Sequence, residues 1–117
     1  MDITHLHLHV RDRPQSEAFY RRWFALREVV KGDAITFMMG GREFLFALMD
    51  DPAPAPMPAW FHFGIRLDAV ADVRTMLAAM REAGVPIVKD LYESEKLVSF
   101  RCADPDAYAI EVYWASE

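Results

Sequence analysis

The sequence predicts an α+β fold made of two copies of one unit, a strand, a helix and then three strands. Three observations predict it. Apolar periodicities run in the same order in both halves, a proline-rich connector separates the halves, and a histidine-bearing strand opens each of them.

Residues 2–10 alternate and read as a strand. His5, His7 and His9 share one face, and Leu6, Leu8 and Val10 share the other. Asp12 offers a helix cap, with Pro14 just inside and Gln15 three residues on, a start that resembles a capping box. Ala18, Phe19, Trp23 and Leu26 supply an apolar stripe, so a helix is expected over about 14–24. Strands follow over 27–31, 34–39 and 43–49, with turns at Gly32-Asp33 and Gly40-Gly41. Residues 50–59 hold Pro52, Pro54, Pro56 and Pro58, which excludes helix and central strand and favours a stiff, extended connector. The second half repeats the order. A strand covers 60–67, and a helix with Val73, Leu77 and Met80 on its inner face covers 69–83, closed by Gly84 with Pro86 beyond. Strands are expected over 87–92, 97–102 and 109–114, the last two joined by the turn Asp104-Pro105-Asp106. The chain thus reads as a single domain, 1–117, with modules at about 2–49 and 60–115.

Composition narrows the functional classes. The chain has 117 residues, 53% hydrophobic and 26% charged, enough for one small domain with a core. A net charge of -5 without a basic cluster is a poor fit to nucleic acid. No apolar run approaches the roughly 20 residues of a membrane helix, and no basic-then-apolar segment at the start suggests a signal peptide. The single cysteine, Cys102, cannot form an internal disulfide; a reducing compartment, the cytoplasm by default, is the expectation.

The duplication gives the chemistry its shape. Residues 4–10 can be laid over 61–67, which brings His5 and His62 to the same position of the two leading strands. A pseudo-twofold arrangement would let the two imidazoles converge. Glu111 stands between Ile110 and Val112 in a strand that otherwise reads as buried, and metal coordination is one of the few ways to compensate a buried carboxylate. The first half has no counterpart in its last strand. His5, His62 and Glu111 are therefore the candidate ligands of a divalent transition metal with open positions. The plainer reading of the histidine run is the solvent face of an edge strand.

The opening His5-Leu6-His7-Leu8-His9-Val10-Arg11-Asp12 with Phe19-Tyr20, the segment His62-Phe63-Gly64-Ile65, and the close from Phe100 to Glu111 resemble the vicinal oxygen chelate superfamily of glyoxalase I, fosfomycin-resistance enzymes, extradiol dioxygenases and bleomycin-resistance proteins. The resemblance covers nearly the whole chain. It implies a cupped mixed sheet with helices on its outer face, a homodimer, and a metal-dependent enzyme (lyase, transferase or dioxygenase) acting on a small oxygen-bearing molecule. His5, His62 and Glu111 match the family's metal positions, and the implied ion is Fe, Mn or Zn, with Ni or Co as further options. Two departures stand out. Glyoxalase I has a fourth ligand, a glutamate in the first module's last strand, where Leu45 or its neighbours stand here. The family carries glycine after Asp-Pro-Asp, where this chain has Ala107; alanine resists positive φ, so a rearranged turn is expected. Lys89 and Ser94 are similar to a cation-binding loop of the fosfomycin enzymes.

His7, one step from His5 on the same face, is the candidate proton-transfer group, with a pocket wall as the plainer reading. His9 reads as rim. Trp60, Arg101 and Tyr113 are candidate substrate contacts; plain core or a surface ion pair are the bland alternatives. The rival from another class is a bleomycin-resistance-like module that binds a drug or metabolite without catalysis, with Trp23, Trp60 and Trp114 as its aromatic surface.

Overall fold

The computed structural model describes all 117 residues. They form two compact units, Met1–Pro56 and Met57–Glu117, and the break falls inside the proline connector. The first unit holds β1 (His5–Val10), α1 (Arg13–Phe24), β2 (Arg27–Lys31), β3 (Ile35–Met39) and β4 (Leu45–Asp50). The second holds β5 (Phe63–Arg66), α2 (Val70–Glu82), β6 (Ile87–Glu93), β7 (Leu97–Ala103) and β8 (Ala109–Ala115). The repeated strand–helix–three-strand order is present in both.

Each unit has one four-stranded mixed sheet, ordered β1-β4-β3-β2 in the first and β5-β8-β7-β6 in the second. The leading strand pairs in parallel with the unit's last strand, and the remaining pairs are antiparallel. Parallel neighbours need a long crossover, and the helix with its two following strands provides it. One face of each sheet packs on its helix. Leu8, Val10, Met38 and Leu48 are fully buried with Tyr20 in the first unit, and Val98, Phe100, Ile110 and Val112 with Val73 and Met80 in the second. Burying such a side chain stabilises by roughly 1.5–3 kcal/mol. The opposite faces carry the polar side chains taken up below.

Local chemistry explains the helix ends. The Asp12 carboxylate accepts from the Gln15 amide at 3.1 Å, as the capping pattern predicts. Gly84 leaves α2 at φ +80°, a conformation that glycine adopts without strain.

Three expectations need correction. The strand expected over 60–67 is only Phe63–Arg66. Pro58 accepts from the Phe61 amide at 3.0 Å, so the segment before it is a turn, although Trp60 and Phe61 are apolar. The buried face of α1 is Ser16, Glu17 and Tyr20, and Ala18 is exposed. A buried glutamate is tolerated because its carboxylate accepts from the Thr36 hydroxyl at 3.1 Å and the Lys31 ammonium at 3.2 Å. The turn after Asp104 is not rearranged: Ala107 itself takes φ +67°.

Candidate metal centre

In the second unit, Gly64 on β5 pairs with Glu111 on β8, Glu111 with Arg101 on β7, and Arg101 with Lys89 on β6. Paired residues project from the same face, so one row across the sheet carries a carboxylate and two cations. The next row carries Arg66, Tyr113, Ser99 and Tyr92. Gly64 makes room in it: a Cβ there would lie 3.0 Å from the Tyr113 ring.

His62 ends the turn just before β5. Its Nδ1–H donates to the Trp60 carbonyl at 3.0 Å, which leaves Nε2 facing Glu111 Oε2 at 3.2 Å. The Arg101 guanidinium stands 3.9 Å from the same oxygen. A backbone carbonyl on the far nitrogen is one of the usual ways to orient a metal-binding imidazole. Two electron-pair donors at that distance need a proton or a cation between them. The donor set therefore fits a divalent metal: an imidazole nitrogen with a fixed tautomer and a half-buried carboxylate.

In the first unit, His5, His7 and His9 lie on the face opposite the helix and pair with Leu45, Ala47 and Met49 of β4. His5 Nδ1 hydrogen-bonds Thr4 Oγ1 at 3.1 Å. With Nδ1–H as donor, Nε2 keeps the lone pair that a metal requires. The register also sharpens one reading. Glu111 pairs with the residue two after His62; the residue two after His5 is His7, and it pairs with Ala47. Ala47 rather than Leu45 occupies the position of a fourth ligand, and it has no donor atom.

The structure brings His62, Glu111 and Arg101 together in one unit and holds His5 and His7 in the other. Neither unit alone gathers three His, Cys, Asp or Glu side chains into a metal cage. Tyr113 shares the face of Glu111 and is half-buried, whereas the Trp60 side chain is 73% exposed and its contribution to the site is its carbonyl. His9, read as rim, is tied to two neighbours: Asp51 Oδ2 at 2.9 Å and His7 Nε2 at 3.1 Å. Asp51 itself was not among the candidates. It follows directly on β4, and only the parallel register of β1 and β4 brings it beside the histidine row. Its carboxyl is held below the usual range, first by the hydrogen bond to His9 and then by the Ala53 amide. Cys102 is buried, which pushes its thiol up to about 12.

The fold is a duplicated βαβββ unit, with a histidine and a glutamate converging at its second sheet. The model of the Glyoxalase/Bleomycin resistance protein/Dioxygenase superfamily matches residues 2–112, and the chain belongs to that superfamily. Among solved structures it is similar to a possible glyoxalase from Bacillus cereus, at 25% identity and TM-score 0.84, covering 96% of this chain and 97% of that one. It is also similar in fold to the fosfomycin resistance protein FosX from Listeria monocytogenes, at 16% identity and TM-score 0.85, covering 99% and 94%. A third similar fold is that of lactoylglutathione lyase from Agrobacterium tumefaciens, at 24% identity and TM-score 0.76, covering 97% and 92%. No curated protein matches by sequence.

Proposed function

We propose that the protein is a metal-dependent enzyme acting on a small oxygen-bearing molecule, with His5, His62 and Glu111 as the ligands of one divalent ion. The observation that carries this reading is the His62 Nε2–Glu111 Oε2 approach at 3.2 Å, with the other ring nitrogen engaged by the Trp60 carbonyl. The similarity in fold to FosX and to lactoylglutathione lyase supports an enzyme and leaves lyase, transferase and dioxygenase chemistry open. Fe, Mn and Zn fit two imidazoles and a carboxylate, and Ni or Co fit almost as well. When bound, such an ion supplies charge that stabilises an oxyanion on the substrate.

The chain's own residues do the rest. Glu111 and His62 orient one another across β5 and β8. Arg101, 3.9 Å from Glu111, offers a guanidinium to an anionic group of the substrate, and Tyr113 supplies an aromatic wall on the same face. His7 is the group proposed to move a proton. With Ala47 opposite His7, the proposal takes a three-ligand centre and not the four-ligand centre of glyoxalase I. A cytoplasmic homodimer belongs to the same proposal.

The test is metal analysis of the purified chain together with thermal melting before and after chelation. About one divalent ion per chain is expected. An ion at 100 times its Kd should add about 2.7 kcal/mol of stability, and His62→Ala should abolish the gain. A chain that retains no divalent ion and melts identically with and without added metal would overturn the reading.

A further inference from the structure

A second cluster of metal-ligating side chains lies wholly in the first unit. His7 Nε2 and His9 Nε2 approach to 3.1 Å, with ring centroids 5.1 Å apart and the planes inclined at 59°. The other nitrogen of His9 is bonded to Asp51 Oδ2 at 2.9 Å, and Asp51 is itself held by the Ala53 amide at 2.9 Å. The Asp51 amide in turn donates to the Val10 carbonyl at 2.9 Å, so the carboxylate is anchored to the strand that carries the histidines.

We infer that His7 and His9 form a two-nitrogen chelate for a divalent late transition ion, with Asp51 orienting His9 from behind. Imidazole–metal bonds of about 2.0–2.1 Å spanning this gap give an N–metal–N angle of roughly 100°. That lies between the tetrahedral and the square-planar angle, so the separation suits chelation once each ring turns its lone pair from the other nitrogen toward the ion. The Asp51 contact makes Nδ1 the protonated nitrogen of His9 and leaves the Nε2 lone pair toward His7. In the metal-free chain one imidazole must donate an Nε2 proton to the other. On binding, that proton leaves for solvent or for His7 Nδ1, and both Nε2 lone pairs become ligands. Water fills the remaining positions, since both side chains are exposed. A carboxylate behind a ligating histidine raises its basicity and fixes its ring, as in carboxylate–histidine–zinc arrangements. With two imidazoles and water as ligands, affinity should follow Cu²⁺ above Ni²⁺ and Zn²⁺. The pair does not depend on His62 or Glu111, so it goes beyond the centre proposed above. The ion would occupy His7, the proposed proton carrier, so a loaded pair would silence that role.

The probe is Cu²⁺ itself, titrated into the chelator-treated full chain and followed by calorimetry and electron paramagnetic resonance. In the His62→Ala/Glu111→Ala background the chain should still bind one Cu²⁺, with the spectrum of two nitrogen ligands. His9→Gln in that background should weaken binding at least tenfold, and Asp51→Asn about tenfold. Should the double variant fold poorly, stoichiometry in the otherwise natural chain serves instead, and His9→Gln should remove one bound ion. Binding that is unchanged by His9→Gln, or that vanishes with His62→Ala/Glu111→Ala while the variant keeps its circular dichroism, would overturn the inference. A natural chain that binds a single Cu²⁺, kept in His62→Ala/Glu111→Ala and lost in His9→Gln, would overturn the three-ligand reading and leave this one standing.

Discussion

Replacing Ala107 with glycine should make the protein more stable, and the turn before β8 shows by how much. Ala107 sits at φ +67° and is exposed, so its methyl group contributes strain and little packing. The conformation is imposed by its neighbours. Asp104, 4% exposed, accepts through Oδ1 from the amides of Asp106 and Tyr108, both at 2.9 Å. Its carbonyl accepts from the Ala107 amide at 3.0 Å, and its own amide donates to the Tyr108 carbonyl at 3.0 Å. An L-residue in the left-handed region costs about 1–2 kcal/mol, which glycine avoids. Glycine loses more freedom on folding, about 0.5–1 kcal/mol. Ala107→Gly should therefore gain about 0.5–1 kcal/mol in urea unfolding, or about 2–5 °C in Tm. Asp104→Ala, which orphans two amides, should lose about 2–4 kcal/mol. The result that would refute the reasoning is an Ala107→Gly variant less stable than the natural chain. The turn matters to the site because β8 starts two residues later and carries Glu111.

Two further predictions concern buried groups. Glu17→Ala should cost about 2–4 kcal/mol in chemical denaturation, because the Thr36 hydroxyl loses its acceptor and Lys31 is left with Glu28 alone at 3.7 Å; Glu17→Gln, which keeps an oxygen for Thr36, should cost clearly less. Cys102, with its thiol raised to about 12, should resist a thiol reagent at pH 8 in the folded chain and react at once in denaturant. The folded thiol holds its proton more tightly than the unfolded one. Its contribution is thus complete below the unfolded value of about 8.5 and is lost as pH rises toward 12. Unfolding curves of Cys102→Ala and the natural chain should diverge in slope only across that alkaline window.

Features set by neighbours in sequence were legible. The Asp12–Gln15 cap, the Val73–Leu77–Met80 stripe of α2 and the Arg101 face are readable from spacing alone, because helix and strand periods act locally. The buried face of α1 was not, because an apolar stripe is the wrong signal where a glutamate is compensated by Thr36 and Lys31 across the sheet. The late start of β5 was missed for a related reason: apolar Trp60 and Phe61 look like strand, and the Pro58–Phe61 hydrogen bond that makes them a turn has no apolar signature. His62 and Glu111 stand out in the sequence only as candidate ligands by residue type, and their approach depends on the β5–β8 register. The His9–Asp51 contact spans 42 residues and follows from the parallel register of β1 and β4, which alternation along one strand cannot supply.

The same register shows where two copies of one fold carry unequal chemistry. At the parallel pair two residues into each leading segment, the first unit sets His7 against Ala47 and the second sets Gly64 against Glu111. Each pair puts one large polar side chain beside a small one, but on opposite strands. Side chains facing each other across a ladder share one volume, and the Gly64 position is already tight, with Tyr113 3.0 Å from where a Cβ would stand. Any side chain at position 64 would require the Tyr113 ring to shift. Each copy thus carries a single ionisable group at that step, an imidazole in the first unit and a carboxylate in the second. In the first copy His7 lies beside His9, and Asp51 rather than a residue of β4 supplies the negative charge behind them.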